Sequence, residues 1–236
     1  MTEVVAPRRE ALHDTIQHRI ERYIIDSGSS PGDPLPPQQD LAKALGISVP
    51  SLREAMKSLQ AIGVIEVRHG SGTYVGRFSL DPLVDGLAFR IRLEAGENMR
   101  TMTEMLEIRT VLECAYVRQV AECASIDLIA ELFALVERME ASASRYSAFT
   151  RDDRRFHEVL YAPIENAFLT LLVRAFWDVV HVIRPALFAA PDNLGSTASE
   201  HRAIVDALAA HDPEAAARAM EAHFAGIRDR ISHYHV

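Results

Sequence analysis

The apolar residues between positions 35 and 75 follow a helical period at first and the alternation of a β-hairpin later. Leu41, Ala42 and Leu45 share one side of a short helix, and Gly46 can end it because glycine adopts a left-handed backbone without steric cost. A second amphipathic helix follows, with apolar residues every three or four positions: Leu52, Ala55, Met56, Leu59 and Ile62. Beyond it, β-branched residues flank the turn-rich sequence HGSG, which is typical of a hairpin. The pattern predicts two helices joined by a sharp turn, and then a wing.

Only helical periodicity follows this segment. Helices are predicted over residues 82–93, 101–122, 126–143, 150–162, 166–188, 198–210 and 213–231. Because the connections between them are short, an antiparallel bundle is expected. The predicted fold is mainly α. It has an N-terminal winged helix-turn-helix with a small β-hairpin wing over residues 8–76, a linker over 77–81, and a C-terminal all-α helical bundle over 82–232.

The start of the second short helix carries side chains suited to DNA. A major groove about 12 Å wide admits one α-helix, whose N-terminal residues reach the base edges. Ser48 or Ser51 can cap this helix, and both hydroxyls can reach phosphates or bases. Arg53 can fork onto a guanine or a phosphate, with Lys57 one turn further along the same face. Further contacts are predicted at the hairpin tip, from Arg68, His69 and Gly70. The pattern leaves one alternative open, a small helical hairpin with a solvated charged face.

The net charge of -8 is unevenly divided along the chain. Residues 1–79 contain nine Lys and Arg against nine Asp and Glu, whereas the remainder contains sixteen against twenty-four and carries the whole excess. An acidic second part is repelled by phosphate, which leaves the neutral first part to face DNA. The charge distribution therefore indicates two parts with different tasks.

Length and composition are those of a soluble globular protein with two domains. The chain has 236 residues, of which 48% are hydrophobic and 25% charged. No apolar run approaches the roughly 18 residues of a membrane span, and the start MTEVVAPRRE lacks the apolar segment of a signal peptide. A cytoplasmic protein without a membrane partner is expected. Cys114 and Cys123 lie in apolar helical surroundings and are predicted to be core thiols.

Several separated motifs occur in the order and at the approximate intervals of a known family. The first part contains PGDPLPPQQDLAKALGIS, SLREAMKSL and IGVIEVRHGSGTYV, and it resembles the winged helix-turn-helix of the GntR superfamily. The second part contains EMLEIRTVLECAYV, DRRFHEVLY, ENAFL, EHRAIVDAL and a late AMEAHF, and it resembles the helical effector domain, called FCD, of the FadR subfamily. The resemblance implies a homodimeric transcription factor that binds a double-stranded DNA operator. Its DNA affinity would change when a small metabolite enters the helical domain.

The chain departs from the family pattern at two positions that are expected to face DNA. The family commonly has LPSER before its first reading helix, whereas this chain has LPPQQ, so that Gln39 is a neutral substitute that can still hydrogen-bond. Val49 stands where the family commonly has an arginine. Because one good bidentate contact provides about 1 to 3 kcal/mol of discrimination, we expect an operator, or an affinity, that differs from the commonest one of the family.

Four residues of the second part are candidate metal ligands. Asp153 and His157 stand four residues apart and project from one face of the predicted helix, while His201 and His223 lie among apolar residues of two later helices. Three imidazoles and a carboxylate suit a divalent Zn, Ni, Fe or Mn ion, and the sequence does not choose among them. From spacing alone, a purely structural role as hydrogen-bonded or exposed residues is the favoured interpretation, because such spacings are common without a metal. The four residues match the ligand positions of metal-containing FCD domains, so the resemblance favours the metal.

The open positions of such a metal suggest a small organic-acid effector. Arg109 stands in the EIRTVLE motif, where related domains often direct an arginine to the pocket, and Arg184 is a second candidate. The alternative for Arg109 is an intrahelical ion pair with Glu113. Trp177 is expected to be a core residue.

Two classes of function follow from these features. The favoured one is a metabolite-responsive DNA-binding regulator, most simply a repressor, and not an enzyme. Its rival is a metal-dependent, hydrolase-like enzyme of the helical bundle, since a His/Asp metal site can also activate water. The sequence places no glutamate in a motif with the ligands as a general base, which disfavours the enzyme. An architectural DNA protein is disfavoured by the acidic second part.

Overall fold

Helices and one hairpin follow each other in the order that the apolar pattern predicts. The computed structural model describes residues 9–94, 100–143, 150–187 and 194–232. The elements are α1 (Arg9–Asp26), α2 (Gln38–Leu45), α3 (Val49–Ala61), β1 (Ile65–Arg68), β2 (Gly72–Val75), α4 (Asp81–Leu93), α5 (Arg100–Cys123), α6 (Ile126–Ala143), α7 (Thr150–Leu160), α8 (Ala167–Leu187), α9 (Leu194–Ala209) and α10 (Pro213–Ser232). They divide into two units, Met1–Pro82 and Leu83–Val236. The prediction of a mainly α fold with one hairpin is confirmed.

The first unit places α1, α2, α3 and the hairpin around one apolar core. The left-handed backbone of Gly46 ends α2, as its position predicts. Ser48, rather than Ser51, caps α3, because its Oγ accepts a hydrogen bond from the Ser51 amide at 3.2 Å. The core comprises Ile16, Ile20, Ile24, Leu35, Leu41, Ala42, Leu52, Ala55, Met56, Leu59, Ile65 and Val75. This core holds α3 against its neighbours and leaves its polar face in solvent.

The wing is joined by the segment that precedes α2. Strands β1 and β2 are antiparallel, with Ile65 opposite Val75. The amide of Leu35 donates to the Thr73 carbonyl at 2.8 Å, and the amide of Val75 donates to the Asp33 carbonyl at 2.8 Å. The segment that leads into α2 therefore pairs with β2 and fixes the wing beside α2 and α3.

Gly76 directly follows the second strand of the hairpin, and its backbone is held in place there. Its amide donates to the Val64 carbonyl at 2.8 Å, and a Cβ on Gly76 would clash with the carbonyl oxygen of Gly63. Replacing Gly76 with alanine is expected to lower the free energy of unfolding by about 1 to 3 kcal/mol, because backbone must shift to admit the methyl group. Urea denaturation of the full chain measures this loss.

Gly86 provides the matched control for that substitution. It lies within α4, and a Cβ there meets nothing within 4 Å. Gly86→Ala is expected to raise stability by about 0.5 to 1 kcal/mol, since alanine loses less backbone freedom than glycine in a helix. Equal changes in the free energy of unfolding for the two substitutions would show that position 76 does not require glycine.

The second unit contains most of α4 together with α5 to α10, and α5 to α10 pack as a helical bundle. Helix α10 packs against α5 and α9, and α6 packs against α7 and α9. Three residues join α9 to α10, with Asp212 Oδ1 accepting from the Ala215 amide at 2.9 Å as a cap. Short connections of this kind make packed neighbours run antiparallel. The bundle brings residues of α5, α7, α9 and α10 together.

Several helix ends differ from the prediction by one or two residues, and three differences have an identifiable context. Helix α8 begins at Ala167 rather than at residue 166, because Asn166 Oδ1 accepts from two amides of the first turn and acts as its cap. Helix α9 begins at Leu194, four residues before the predicted start, through a Gly-Ser stretch that carries no apolar period. The prediction of a core thiol is wrong for Cys123, which is exposed, whereas Cys114 is half-buried. The last turn of α5 directs Val120 and Ala121 inward and Cys123 outward.

Among the described residues, no helix combines the length and the apolar character that crossing a bilayer requires.

Candidate functional site

Three histidines from three helices meet in the interior of the bundle. His157 of α7, His201 of α9 and His223 of α10 are almost fully buried. The ring centroids of His201 and His223 are 4.4 Å apart, and His157 lies 5.6 and 5.5 Å from them. One ring nitrogen of each residue lies within 4.8 Å of the others, a spacing that one metal ion can bridge.

Asp153 lies one helical turn before His157 and faces the same cluster. Its Oδ1 is 2.9 Å from His201 Nε2 and 3.7 Å from His157 Nε2. Neither Oδ1 nor the two Nε2 atoms has an aligned hydrogen-bond partner within the described residues, and His223 Nε2 also lacks one. The structure thus brings together the four residues that the sequence suggests as metal ligands.

The opposite ring nitrogens of the histidines all have protein partners. Each Nδ1 faces a carboxylate or carbonyl oxygen: His157 faces Glu113 Oε2 (2.6 Å), His201 faces the Thr197 carbonyl (2.7 Å) and His223 faces Glu200 Oε2 (3.1 Å). Since these oxygens accept, each Nδ1 donates its hydrogen and each Nε2 keeps a lone pair for the cluster. Metal-binding histidines in proteins are generally oriented by partners of this kind.

Burial and neighbouring charges set the protonation of these groups. Burial lowers the pKa of His157 and of His223, which favours their neutral rings. Burial opposes ionisation of Asp153, but the nearby histidines, His201 first among them, outweigh it and lower its pKa to about 2. Burial also lowers the pKa of His201, yet the Asp153 carboxylate raises it overall. The ionised Asp153 carboxylate and the neutral rings of His157 and His223 suit a divalent cation, which would replace a proton at His201.

Glu113 links the histidine cluster to Arg109. One carboxylate oxygen of Glu113 pairs with Arg109 Nε, while the other faces His157 and accepts from the Tyr161 hydroxyl at 3.0 Å. Burial raises the pKa of Glu113, but Arg109 and then His157 bring it well below its ordinary value. The ion pair considered as the alternative for Arg109 is therefore formed, in a fully buried setting.

Arg109 also keeps one donor that the pair does not use. The residue is 2% exposed, and its Nη2 has no hydrogen-bond partner in the described part of the chain. Its guanidinium carbon lies 5.1 Å from the ring centroids of both Trp177 and Phe224. The pairing with Glu113 and a role toward a ligand are thus compatible. The side chain of Arg184, the second effector candidate, lies outside the described residues.

Sequence reasoning missed the side chains that orient the candidate ligands. Glu113 is identifiable as a helical neighbour of Arg109, but its contacts with His157 and Tyr161 span 44 and 48 positions. Glu200 adjoins a candidate ligand in sequence, yet it contacts His223 on another helix. No local pattern reports such contacts, because helix packing creates them.

The predicted DNA-contacting residues of the first unit lie mainly on its surface. Gln39, Ser48, Arg53 and Lys57 are exposed, and Ser51 is half-buried against Ser48. Arg53 Nε lies 3.5 Å from Gln38 Oε1, which joins α3 to α2 across the tight turn. Lys57 forms an exposed ion pair with Glu54 at 2.8 Å. The face of α3 that carries these residues is therefore polar and accessible.

The wing tip carries the remaining predicted contacts. Arg68 donates to both carboxylate oxygens of Glu66, at 2.9 and 3.0 Å, and lies over the Tyr74 ring at 4.0 Å. His69 and Gly70 are exposed, with Gly70 at a φ of 74° that favours glycine. An open groove of about 500 Å³ separates this tip from the segment before α2. Its lining is Leu35, Pro36, Pro37, Gln38, Val67, Arg68, His69, Gly70, Ser71, Gly72 and Thr73.

Comparison with known families accounts for both units. Residues 12–75 match the family described as bacterial regulatory proteins, gntR family, and residues 104–226 match the FCD domain. The chain belongs to the GntR family. This GntR-family protein is accordingly a transcriptional regulator with a DNA-binding winged helix-turn-helix and an FCD effector domain.

Individual proteins similar to this GntR-family protein are also transcriptional regulators. An uncharacterized HTH-type transcriptional regulator of Mycobacterium tuberculosis is 34% identical, over 92% of this chain and 88% of the relative. The HTH-type transcriptional repressor NanR of Enterobacter is 27% identical, over 91% of this chain and 83% of the relative. The solved structure of Streptococcus agalactiae GntR superposes with a TM-score of 0.67 at 26% identity, covering 92% of this chain and 99% of that one. The prediction of a regulator rather than an enzyme is confirmed.

Proposed function

We propose that this GntR-family regulator is a repressor of the FadR subfamily whose operator affinity changes when a small organic acid binds at a metal in its FCD domain. The observation that carries the proposal is the convergence of four buried ligand atoms without hydrogen-bond partners among the described residues, namely Asp153 Oδ1 and the Nε2 atoms of His157, His201 and His223. Leaving such atoms buried and unpaired is costly, and a divalent cation removes that cost.

The chemistry of the four ligands favours Zn, Ni, Fe or Mn. Imidazoles suit borderline ions, and the carboxylate admits a harder one. A metal held by four protein ligands can expand its coordination, so a carboxylate or hydroxyl of an effector binds without displacing a ligand. An organic acid is therefore the effector class that the site fits.

Arg109 supplies the charge complement for such an acid. Its Nη2 is buried without a hydrogen-bond partner among the described residues, and a buried donor holds a carboxylate more strongly than a donor in water does. The Glu113 pair orients the guanidinium, whose carbon lies 5.1 Å from the ring centroids of both Trp177 and Phe224. A buried arginine with one unused donor is suited to recognising an anion rather than to stabilising the fold alone.

Exposed apolar residues of the second unit support a homodimer. Phe89 and Leu93 are exposed on α4, and Ile108 and Val111 on α5, each pair with helical spacing. Paired exposed side chains of this size are typical of interaction surfaces. A dimer that reads two successive major grooves needs its reading helices about 34 to 36 Å apart. Occupied and empty FCD domains would then favour different separations, and the effector would shift the DNA-competent population.

Replacing Val111 with glutamate is expected to convert such a dimer to a monomer, because it buries an unpaired charge in the contact. Light scattering coupled to size-exclusion chromatography measures the mass. Ile126→Glu changes an even more exposed apolar residue, at the start of α6, and is expected to leave the mass unchanged. If neither substitution alters a dimeric mass, the contact lies on another surface.

Replacing Arg53 with alanine is expected to weaken operator binding by roughly ten- to a hundredfold, because a bidentate contact to a base is lost. Fluorescence anisotropy with a selected operator measures this change. Arg100→Ala removes an exposed arginine of α5 that pairs with Glu104 and serves as the control. Equal losses for both variants would indicate general charge effects.

Because Gln39 and Val49 replace the usual residues, the selected operator is expected to differ from the commonest one of the family.

The switch itself is tested by operator binding with metal and acid varied independently. Saturating effector is expected to change the operator Kd of the metal-loaded protein by roughly 5- to 150-fold, the usual range of allosteric coupling. The Asp153→Ala variant should bind the operator normally but lose this response. An unchanged operator Kd across a panel of hydroxy and dicarboxylic acids contradicts the proposal, whereas hydrolysis of any of them would favour an enzyme.

A further inference from the structure

The buried polar atoms without hydrogen-bond partners fall into one cluster. Within residues 9–94, 100–143, 150–187 and 194–232 these atoms are Arg109 Nη2, Asp153 Oδ1, His157 Nε2, Trp177 Nε1, His201 Nε2 and His223 Nε2. Folded proteins generally pair such atoms, so their accumulation at one place indicates a ligand. The set has two chemical halves. Four atoms offer lone pairs, as a cation requires, and two carry N–H groups, as an anion requires.

Trp177 is the member of this set that has no role so far, since it is neither a metal ligand nor part of the Arg109 guanidinium. Its side chain lies in α8 and is 7% exposed, and its ring centroid is 5.9 Å from that of His157. The Arg109 guanidinium carbon is 5.1 Å from the same ring. The indole is therefore close to both the arginine and a proposed metal ligand. A tryptophan that served only as core would normally place its N–H against an acceptor.

We propose that the Trp177 indole N–H is a second effector-binding donor, which works with Arg109 Nη2 on one carboxylate of the acid. This inference rests on the proposed function of the site. A carboxylate has two oxygens and about four lone-pair positions, so it can accept from both donors at once. The burial of Trp177 and Arg109 excludes competing water and strengthens both hydrogen bonds.

The two halves of the set also constrain the acid. One carboxylate satisfies the two donors, and a separate oxygen group is needed to coordinate the metal. An acid with two oxygen functions, such as a 2-hydroxy acid or a dicarboxylic acid, uses both halves, whereas acetate uses only one. The regulator is therefore expected to bind 2-hydroxy acids and dicarboxylic acids more tightly than acetate.

The experiment exploits the fact that Trp177 is the one tryptophan of the chain. Growth of a tryptophan auxotroph on β-(3-benzothienyl)alanine replaces the indole N–H with sulfur and keeps the ring nearly isosteric. Titration calorimetry measures the binding of L-malate, and separately of acetate, to the full metal-loaded protein. After the replacement, malate is expected to bind roughly ten- to a hundredfold more weakly, because a hydrogen bond to a charged group is lost. Zinc affinity should stay unchanged, and acetate should bind weakly to both proteins.

The remaining outcomes distinguish a failure of the role of Trp177 from a failure of the proposed function. Equal malate affinity in both proteins overturns the role of Trp177 while leaving the proposed function intact. Failure of the natural metal-loaded protein to bind either acid contradicts the proposed function itself. A parallel loss of zinc affinity would show that Trp177 supports the metal ligands and would overturn its role as a donor. Trp177→Phe, which removes the N–H by a conventional substitution, should reproduce the malate result without loss of zinc.

Discussion

Replacement of Glu113 by alanine is expected to lower the free energy of unfolding of the FCD domain by about 3 to 5 kcal/mol, which is the usual cost of removing one partner of a buried ion pair. Glu113 is fully buried, and its two oxygens serve Arg109, His157 and Tyr161. Without the carboxylate, a guanidinium remains buried without its counter-charge. Urea denaturation of the metal-free protein, followed by circular dichroism, measures the loss.

An exposed ion pair in the same domain provides the control. Glu140 accepts two hydrogen bonds from Arg202, at 2.6 and 2.7 Å, but its side chain is 41% exposed. Glu140→Ala is therefore expected to cost at most about 1 kcal/mol, because water solvates both charges after the substitution. If the two variants were equally stable, Glu113 would not hold the buried charges together.

Removal of the proposed metal is expected to lower the stability of the folded protein substantially. A divalent ion present at a thousand times its Kd stabilises the folded state by about 4 kcal/mol, provided that it binds the unfolded chain weakly. Thermal denaturation with zinc and with a chelator measures this difference. His201→Ala removes a proposed ligand whose ring lies 4.4 Å from that of His223 and 5.6 Å from that of His157. It should weaken zinc binding more than the roughly 10- to 100-fold that follows loss of an orienting partner. The stabilisation by zinc should then largely disappear.

The control for that substitution is another histidine. His181 lies on an exposed part of α8 and outside the cluster. His181→Ala should retain both zinc affinity and the stabilisation by zinc. A melting temperature of the natural protein that does not respond to zinc, nickel, iron or manganese would refute the assignment of Asp153 and the three histidines as a metal site.

Element order and helix ends were largely predictable because local rules determine them. Gly46 and Asp212 end or cap helices through interactions within a few residues, so their roles are visible in the sequence. The early start of α9 and the exposure of Cys123 were not predictable. Packing among helices allows α9 to extend through residues without an apolar period, and it selects which side of the last turn of α5 is buried.

By itself, the sequence determined the two-part organisation, the winged helix-turn-helix and the choice of candidate ligands, since periodicity, caps and motifs are local properties of the chain. Only the tertiary structure decided that Asp153 and the histidines meet and that Glu113 joins Arg109 to His157. It also decided that the Trp177 N–H is buried without a hydrogen-bond partner among the residues that the structure describes. These relations depend on how helices distant in sequence cross and on what that crossing buries. A spacing of four residues can place two side chains on one face, but only packing decides what lies opposite them.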